Sequence, residues 1–282
     1  MNYRHAYHAG NFADVLKHIV LVRILTYLKT KPAPFRVIDT HAGAGLYDLA
    51  GVEAGKTGEW REGIGRVLDA VAPADVAALI APYIDVVKKR NAVGCGIGNY
   101  PGSPLIALDL LRDVDRLIAN ELHIDAAAQL NGVLKGATNA KTLALDAYQA
   151  IKSLLPPRER RGLVLIDPPF EAPDEFSRLT DALGAALERF STGVYLVWYP
   201  VKDRAAADHF LNIVAARHGP RRLDLRLAVC APSALPGLTE TGVLVLNPPF
   251  PLADELRCLM PWLQDVLARG RGGGWSIDGR VS

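Results

Sequence analysis

Cysteine and methionine are scarce in this chain, aromatic residues are few, and its charges nearly cancel. The three cysteines among 282 residues, Cys95, Cys230 and Cys258, are odd in number, far apart and form no CxxC pair. That argues against a disulfide scaffold and a thiolate zinc site, and makes a reducing cytoplasm the expected compartment. The net charge of +2 neither demands nor forbids a nucleic-acid partner. No apolar run reaches membrane-spanning length. The best N-terminal apolar stretch, 15–28, is interrupted by Lys17, His18 and Arg23. No small-residue cleavage site follows it, so it does not read as a secretory signal. Apolar residues, in contrast, make up 50% of the composition. That is enough for one large domain, or for one domain carrying an insertion.

Helical spacing begins after Asp14, where Val15, Ile19, Val22 and Leu25 share one stripe, and Pro32 and Pro34 end it. Residues 35–38 predict a strand closed by Asp39. From Gly51 to Gly98, helical periods alternate with glycine joints and no strand pattern occurs, which predicts a small helical insertion. Alternation resumes after Tyr100. Ser103 as N-cap and Pro104 in the first turn open a helix reaching Leu111. Strands are expected at 116–120, 142–145, 163–166 and 194–198, with helices at 125–134 and 174–189. Residues 223–229 and 243–246 predict a closing antiparallel pair, followed by a helix over 252–267. A glycine-rich tail then connects to a strand around Trp275. This order implies an α/β, Rossmann-like fold with a doubly wound, mainly parallel sheet. The expected division is 1–50 and 99–282 for that domain, with a basic leader and helix over 1–34, and 51–98 for the insertion subdomain.

The chemistry collects at strand ends. The buried run 163–166 enters Asp167-Pro168-Pro169-Phe170, and the prolines end ladder pairing in a stiff turn. The carboxyl edge of an open α/β sheet is where ligands bind. A carboxylate, a rigid carbonyl and an aromatic face together suit a planar amine. After the first strand, Asp39-x-x-x-Gly43-x-Gly45 lets the backbone approach a ligand closely. The third glycine of a dinucleotide loop is missing, since position 48 is Asp48. An adenosyl cofactor without phosphates therefore fits better. Glu121 ends the second strand of the series, where a carboxylate can hold ribose hydroxyls, and Asp146 follows the third, in reach of an adenine amine. Each acid alone also fits a solvated cap at a strand end; their order at successive strand ends is harder to dismiss. The set describes S-adenosyl-L-methionine beside an amine acceptor. Asp167 and the Pro168 carbonyl would accept the two N–H bonds of an adenine N6 for in-line attack on the methyl, and Phe170 would stack on the base. No metal is needed. A second strand ends in Asn247-Pro248-Pro249-Phe250, which reads as a structural stop on the last hairpin. At the N-terminus, Tyr3, Arg4, His5 and Lys17 mix aromatic and cationic groups able to meet phosphates and unpaired bases. Arg158, Arg160 and Arg161 are expected to extend a basic rim around the same edge.

With these residues in view, the chain resembles the bacterial RlmJ-type methyltransferases, which modify N6 of an adenine in 23S ribosomal RNA. The likeness rests on residues 3–11, 13–18, 39–45, 100–104, 121–123, 167–170 and 198–200, and so spans nearly the whole chain. The opening stretch is specific to that family; the glycine loop and Asp-Pro-Pro-Phe are shared more widely. The resemblance implies that His18, His41, Ser103, Glu121, and Asp146 with Ala147 line the cofactor site beside Gly43. It also implies that Asp167 is catalytic and that Tyr3 and His5 reach over the target base. Two departures stand out. Phe170 replaces a frequent Tyr, losing a hydroxyl while keeping the ring, and Ala147 replaces a Gly, so only a backbone contact carries over.

The expectation is therefore a cytoplasmic, S-adenosylmethionine-dependent 23S rRNA (adenine-N6)-methyltransferase. It is expected to act as a monomer on protein-free RNA or an early assembly intermediate. Two rivals remain open. The same chemistry could serve DNA adenine or a protein glutamine amide, or the fold could be a non-catalytic RNA-binding adaptor. The missing DNA-recognition domain argues weakly against DNA, and the acid at position 167 against an adaptor.

Overall fold

A computed structural model of the chain describes residues 4–92, 96–219, 221–232 and 234–280. Helix α1 (Phe12–Lys29) leads into β1 (Arg36–Asp39). A short antiparallel pair, β2 (Leu46–Asp48) and β3 (Asn99–Pro101), brackets α2 (Val52–Thr57), α3 (Ile64–Asp69) and α4 (Ala74–Lys89). Then follow α5 (Ser103–Leu110), β4 (Arg116–Asn120), α6 (Ile124–Val133), β5 (Ala140–Leu143), α7 (Ala147–Leu154) and β6 (Gly162–Ile166). The chain continues through α8 (Glu175–Arg189), β7 (Val194–Pro200), α9 (Arg204–His218), β8 (Arg222–Ala228), β9 (Glu240–Leu246), α10 (Leu252–Leu267) and β10 (Gly274–Arg280). Eight strands form one sheet in the order β10-β8-β9-β7-β6-β1-β4-β5.

The five strands from β7 to β5 run parallel, and the chain leaves β1 first toward β4 and β5, then returns to β6 on its other side. That reversal beside β1 is the crevice where open α/β sheets bind ligands. Successive side chains of a strand face opposite sides. Val37, Leu163 and Leu165 accordingly enter the core under α1, α5 and α10, whereas Ile38, Val164 and Ile166 enter the core under α7, α8 and α9. Among the described residues no helix is long and apolar enough to cross a membrane.

Helix α1 departs from the single-stripe expectation. It is buried from Phe12 through Leu25 on every side, including Asp14, Lys17, His18 and Arg23. In a two-layer sandwich one face of such a helix meets water; here α4 and α10 cover it, and its polar residues need protein partners. Arg23 finds Glu255 of α10, with Nη2 2.6 Å and Nε 2.9 Å from the carboxylate oxygens. Other boundaries also moved. Gly102, not Ser103, is the N-cap of α5, because the Ser103 hydroxyl is turned to Asp39. Strand β5 ends at Leu143, two residues early, since Leu145 is held by the Asn120 side chain through both its N–H (2.9 Å) and its carbonyl (2.9 Å). Strands β2 and β3 are too short to carry a strand signal; helices α7 and α9, each opened by an N-cap aspartate, Asp146 and Asp203, are additions to the expected layout.

Residues before and after a strand lie on opposite edges of the sheet. Arg158, Arg160 and Arg161 precede β6, so the basic rim expected around Asp167 does not exist there. Arg161 instead donates to the carbonyls of Leu28 and Ala33, and its guanidinium, like that of Arg112, lies 5.6 Å from the Phe35 ring centroid. Strand β9 runs antiparallel to β7, which puts Asn247 on that far edge as well. Its amide donates to the carbonyls of Ser191 and Gly193 at 2.8 Å each, and its φ of 52° turns the chain out of the sheet. It is a strand stop.

Truncating one partner of a buried ion pair leaves the other charge stranded. Arg23→Ala is expected to lower stability by about 3 kcal/mol in urea denaturation, and an Arg23→Met, Glu255→Leu double variant to recover most of it. Equal losses in both proteins would refute a charge-based account of this contact.

Candidate active site

Strand polarity decides which residues meet. Asp39, Glu121 and Asp167 each follow or close a parallel strand, and the register aligns Asp39 with Ala119 of β4 and Leu165 of β6. They therefore share one edge, and Glu121 and Asp167 border a cavity of about 640 Å³ there. Of the residues singled out from sequence, Arg4, His5, Lys17, His18, His41, Gly43, Ser103, Glu121, Asp167 and Pro168 border it. Tyr3 lies outside the described residues. Phe170, Asp146 and Ala147 do not border the cavity. Phe170, at a φ of 49°, packs its ring 4.9 Å from Phe176 and 5.8 Å from Trp198. Asp146 caps α7 by accepting from the N–H groups of Tyr148 (3.1 Å) and Gln149 (3.0 Å). Its other oxygen stands 3.8 Å from Arg178.

The glycine loop folds over Glu121. The Gly43 N–H donates to one carboxylate oxygen and the His123 N–H to the other, both at 2.8 Å. Gly43 has a φ of +61°, and a Cβ there would lie 2.2 Å from the Tyr47 hydroxyl. Only glycine holds this position. Each carboxylate oxygen keeps a lone pair for a ligand hydroxyl.

Lys17 is the electrostatic centre. Only 3% exposed, its ammonium donates to Asp14 Oδ1 at 2.8 Å and to Asp167 Oδ2. Burial alone would lower its pKa; the carboxylates of Asp14 and Asp167 outweigh that and hold it above the ordinary lysine value. Asp14 also accepts from the Gly10 N–H and lies 2.9 Å from His5 Nε2. Burial pushes Asp14 upward, and the charges of His5 and Lys17 more than reverse it, so it stays ionised. Asp39, 1% exposed, accepts from the Ser103 hydroxyl at 2.6 Å. Burial raises its pKa to about 7, Ser103 opposes this, and the Asp167 charge adds to it. Burial likewise keeps His18 and His41 neutral, with values near 3 and 4.

The N-terminal segment is strapped down by the helices between β2 and β3. Arg4 pairs with Glu53 at 3.5 Å, the Thr57 hydroxyl donates to the Tyr7 carbonyl, and Glu59 meets His8 and Asn11 at 3.1 and 2.9 Å. Sequence reading missed Asp14, Tyr47 and Glu59 here. Asp14 had a usable signal: an acid three residues before Lys17 faces it on a helix. Glu59 had none, because its partners are about 50 positions away. Among the described residues no cluster of three or more His, Cys, Asp and Glu side chains could hold a metal ion.

The folded Asp39 carboxyl binds its proton more tightly than the unfolded one, so its stabilising contribution is lost as pH rises. Relative to Asp39→Asn, wild-type stability should fall from pH 3.8 toward about 7 and then level off. The opposite slope from His18 and His41 is common to both proteins and cancels in the difference. Denaturation midpoints measured across that range check this; a flat or rising difference contradicts it.

Comparison with known proteins finds relatives along nearly the whole chain. Residues 32–281 match the family "Ribosomal RNA large subunit methyltransferase D, RlmJ". The chain is 40% identical to the Haemophilus influenzae "Ribosomal RNA large subunit methyltransferase J", over 99% of this chain and 98% of that one. It is also 40% identical to the Escherichia coli protein of the same name, over 95% and 94%. A crystal structure of a Legionella pneumophila protein superposes with a TM-score of 0.86 at 33% identity, covering 96% of this chain and 98% of that one.

Proposed function

The chain belongs to the RlmJ family of ribosomal RNA large subunit methyltransferases, and on that premise we propose that it methylates N6 of one adenine in 23S rRNA. The methyl donor is S-adenosyl-L-methionine, which supplies an electrophilic methyl group on a sulfonium. The observation carrying this reading is that Asp167, Gly43, Glu121, His18 and Ser103, from five different segments, border one cavity. The residues fit that donor. Glu121 is oriented by two backbone N–H groups to accept ribose hydroxyls. His18 Nε2 is buried without a partner, as a group awaiting a polar ligand would be. His41, Gly43 and Ser103 complete the wall; Asp146 and Ala147, expected at the adenine end, stand outside it.

At the acceptor, Lys17 occupies Asp167 Oδ2, so Oδ1 is the oxygen left for a substrate amine. Asp167 and the Pro168 carbonyl accept the two N–H bonds of N6, returning electron density to a nitrogen whose lone pair is otherwise drawn into the ring. Holding that nitrogen in line with the methyl supplies most of the acceleration. The proton passes to Asp167 or to solvent after transfer. Tyr3 and His5 cover the flipped base, and Arg4 adds positive charge near the RNA backbone. Phe170, packed on Phe176 and Trp198, and Lys17, buried between Asp14 and Asp167, do not take the RNA contacts expected of them. The substrate is protein-free 23S rRNA or an early assembly intermediate, and the enzyme acts as a monomer in the cytoplasm.

Asp167→Asn should reduce single-turnover methylation of a 23S transcript by about 10²–10⁴-fold with RNA affinity retained. Mass mapping of rRNA from a deletion strain should lose one N6-methyladenine. Unchanged rRNA, or activity confined to duplex DNA or protein, would refute the assignment.

A further inference from the structure

The helices between β2 and β3 reach the cavity wall through a chain of buried hydroxyls. Tyr83 of α4 and Tyr100 of β3 are both fully buried, with their hydroxyls 2.9 Å apart. The Tyr100 hydroxyl lies 2.7 Å from His18 Nδ1, and the two rings stack at 5.6 Å. His18 borders the cavity and is 1% exposed, and its other nitrogen, Nε2, is buried with no partner. The ring is neutral, so it carries one N–H, on Nδ1 or on Nε2.

Proton counting decides between them. If Nδ1–H donated to Tyr100, Tyr100 would donate to Tyr83, and the Tyr83 proton would be left without an acceptor among the described residues. Nε2 would then be a second unsatisfied group, a buried bare lone pair. In the reverse direction Tyr83 donates to Tyr100 and Tyr100 donates to Nδ1. Both hydroxyl protons are used, and a single unsatisfied group remains, the Nε2–H. Leaving a buried donor or acceptor unmade is costly, so the arrangement with fewer orphans prevails.

We infer that Tyr100, backed by Tyr83, is a positioning residue that fixes His18 as the Nε2–H tautomer, a neutral hydrogen-bond donor for the carboxylate of the methyl donor. This rests on the cofactor reading of the cavity given above. The carboxylate is the one anionic acceptor that S-adenosylmethionine carries, and a hydrogen bond to a charged acceptor is stronger than one between neutral groups. The helical segment between β2 and β3 thereby contributes to cofactor recognition without lining the contact itself.

Nitrogen-15 NMR of the His18 imidazole in the ligand-free protein reads the tautomer directly. The Nε2-protonated pattern is expected in wild type and in Tyr83→Phe, where Tyr100 can still donate; a dominant Nδ1-protonated pattern in wild type overturns the inference. Tyr100→Phe should mix the tautomers and weaken S-adenosylhomocysteine binding about tenfold by calorimetry. It should leave 5′-methylthioadenosine, which lacks the amino-acid end, bound as before. Equal losses for both ligands, or no loss for either, overturn it while wild-type binding stands. Failure of wild type to bind S-adenosylhomocysteine overturns the inference together with the cofactor reading beneath it. Should Tyr100→Phe not fold, the wild-type and Tyr83→Phe spectra decide alone.

Discussion

The pairing of Lys17 with Asp14 and Asp167 is the constraint that the rest of the site obeys. An ammonium taken out of water loses hydration worth several kcal/mol, which only close opposite charges and good geometry return. Lys17 meets that condition by standing between two carboxylates, one on its own helix and one beyond β6. The arrangement ties α1 to the carboxyl edge of the sheet and presets the orientation of Asp167. Asp14 in turn holds His5 and the Gly10 N–H, so the N-terminal segment is registered against the acceptor end of the cavity by the same charges.

A second support comes from the excursion between β2 and β3. Its residues pair with Arg4, Tyr7, His8 and Asn11, and the Ile64 N–H donates to the Gly10 carbonyl at 2.8 Å. Contact there is so close that a Cβ on Gly63 would lie 2.1 Å from that carbonyl oxygen. Helix α4 of the excursion, together with α10, is also the reason α1 is buried all round. Its polar residues cannot turn to water, and each becomes either a site residue or a buried contact such as Arg23 with Glu255.

Much of this is legible in the sequence. Short apolar runs bounded by breaker residues located β4, β6, β8 and β9, and the helix at 252–267 matches α10 to the residue. Such signals are local, carried by side chains within a few positions of one another. Where the reading failed, the deciding partner was distant. Ser103 has the chemistry of an N-cap, but Asp39, 64 residues away, claims its hydroxyl. Leu145 has strand propensity, but the Asn120 amide holds it out of the ladder. Arg158, Arg160 and Arg161 were assigned to the active edge by proximity along the chain, when five residues of strand are enough to carry them to the other side.

The sequence alone determined the chain of strand ends, the glycine that the loop requires, the carboxylate before two prolines, and the resemblance that joins them. Each depends on short-range sterics or on a contiguous motif. Only the tertiary structure decided which charges are buried, that burial lifts the Asp39 pKa to about 7, and that Phe170 joins an aromatic cluster away from the cavity. Those outcomes depend on strand direction and on the dielectric around each group. Both are set by packing between segments that lie far apart along the chain.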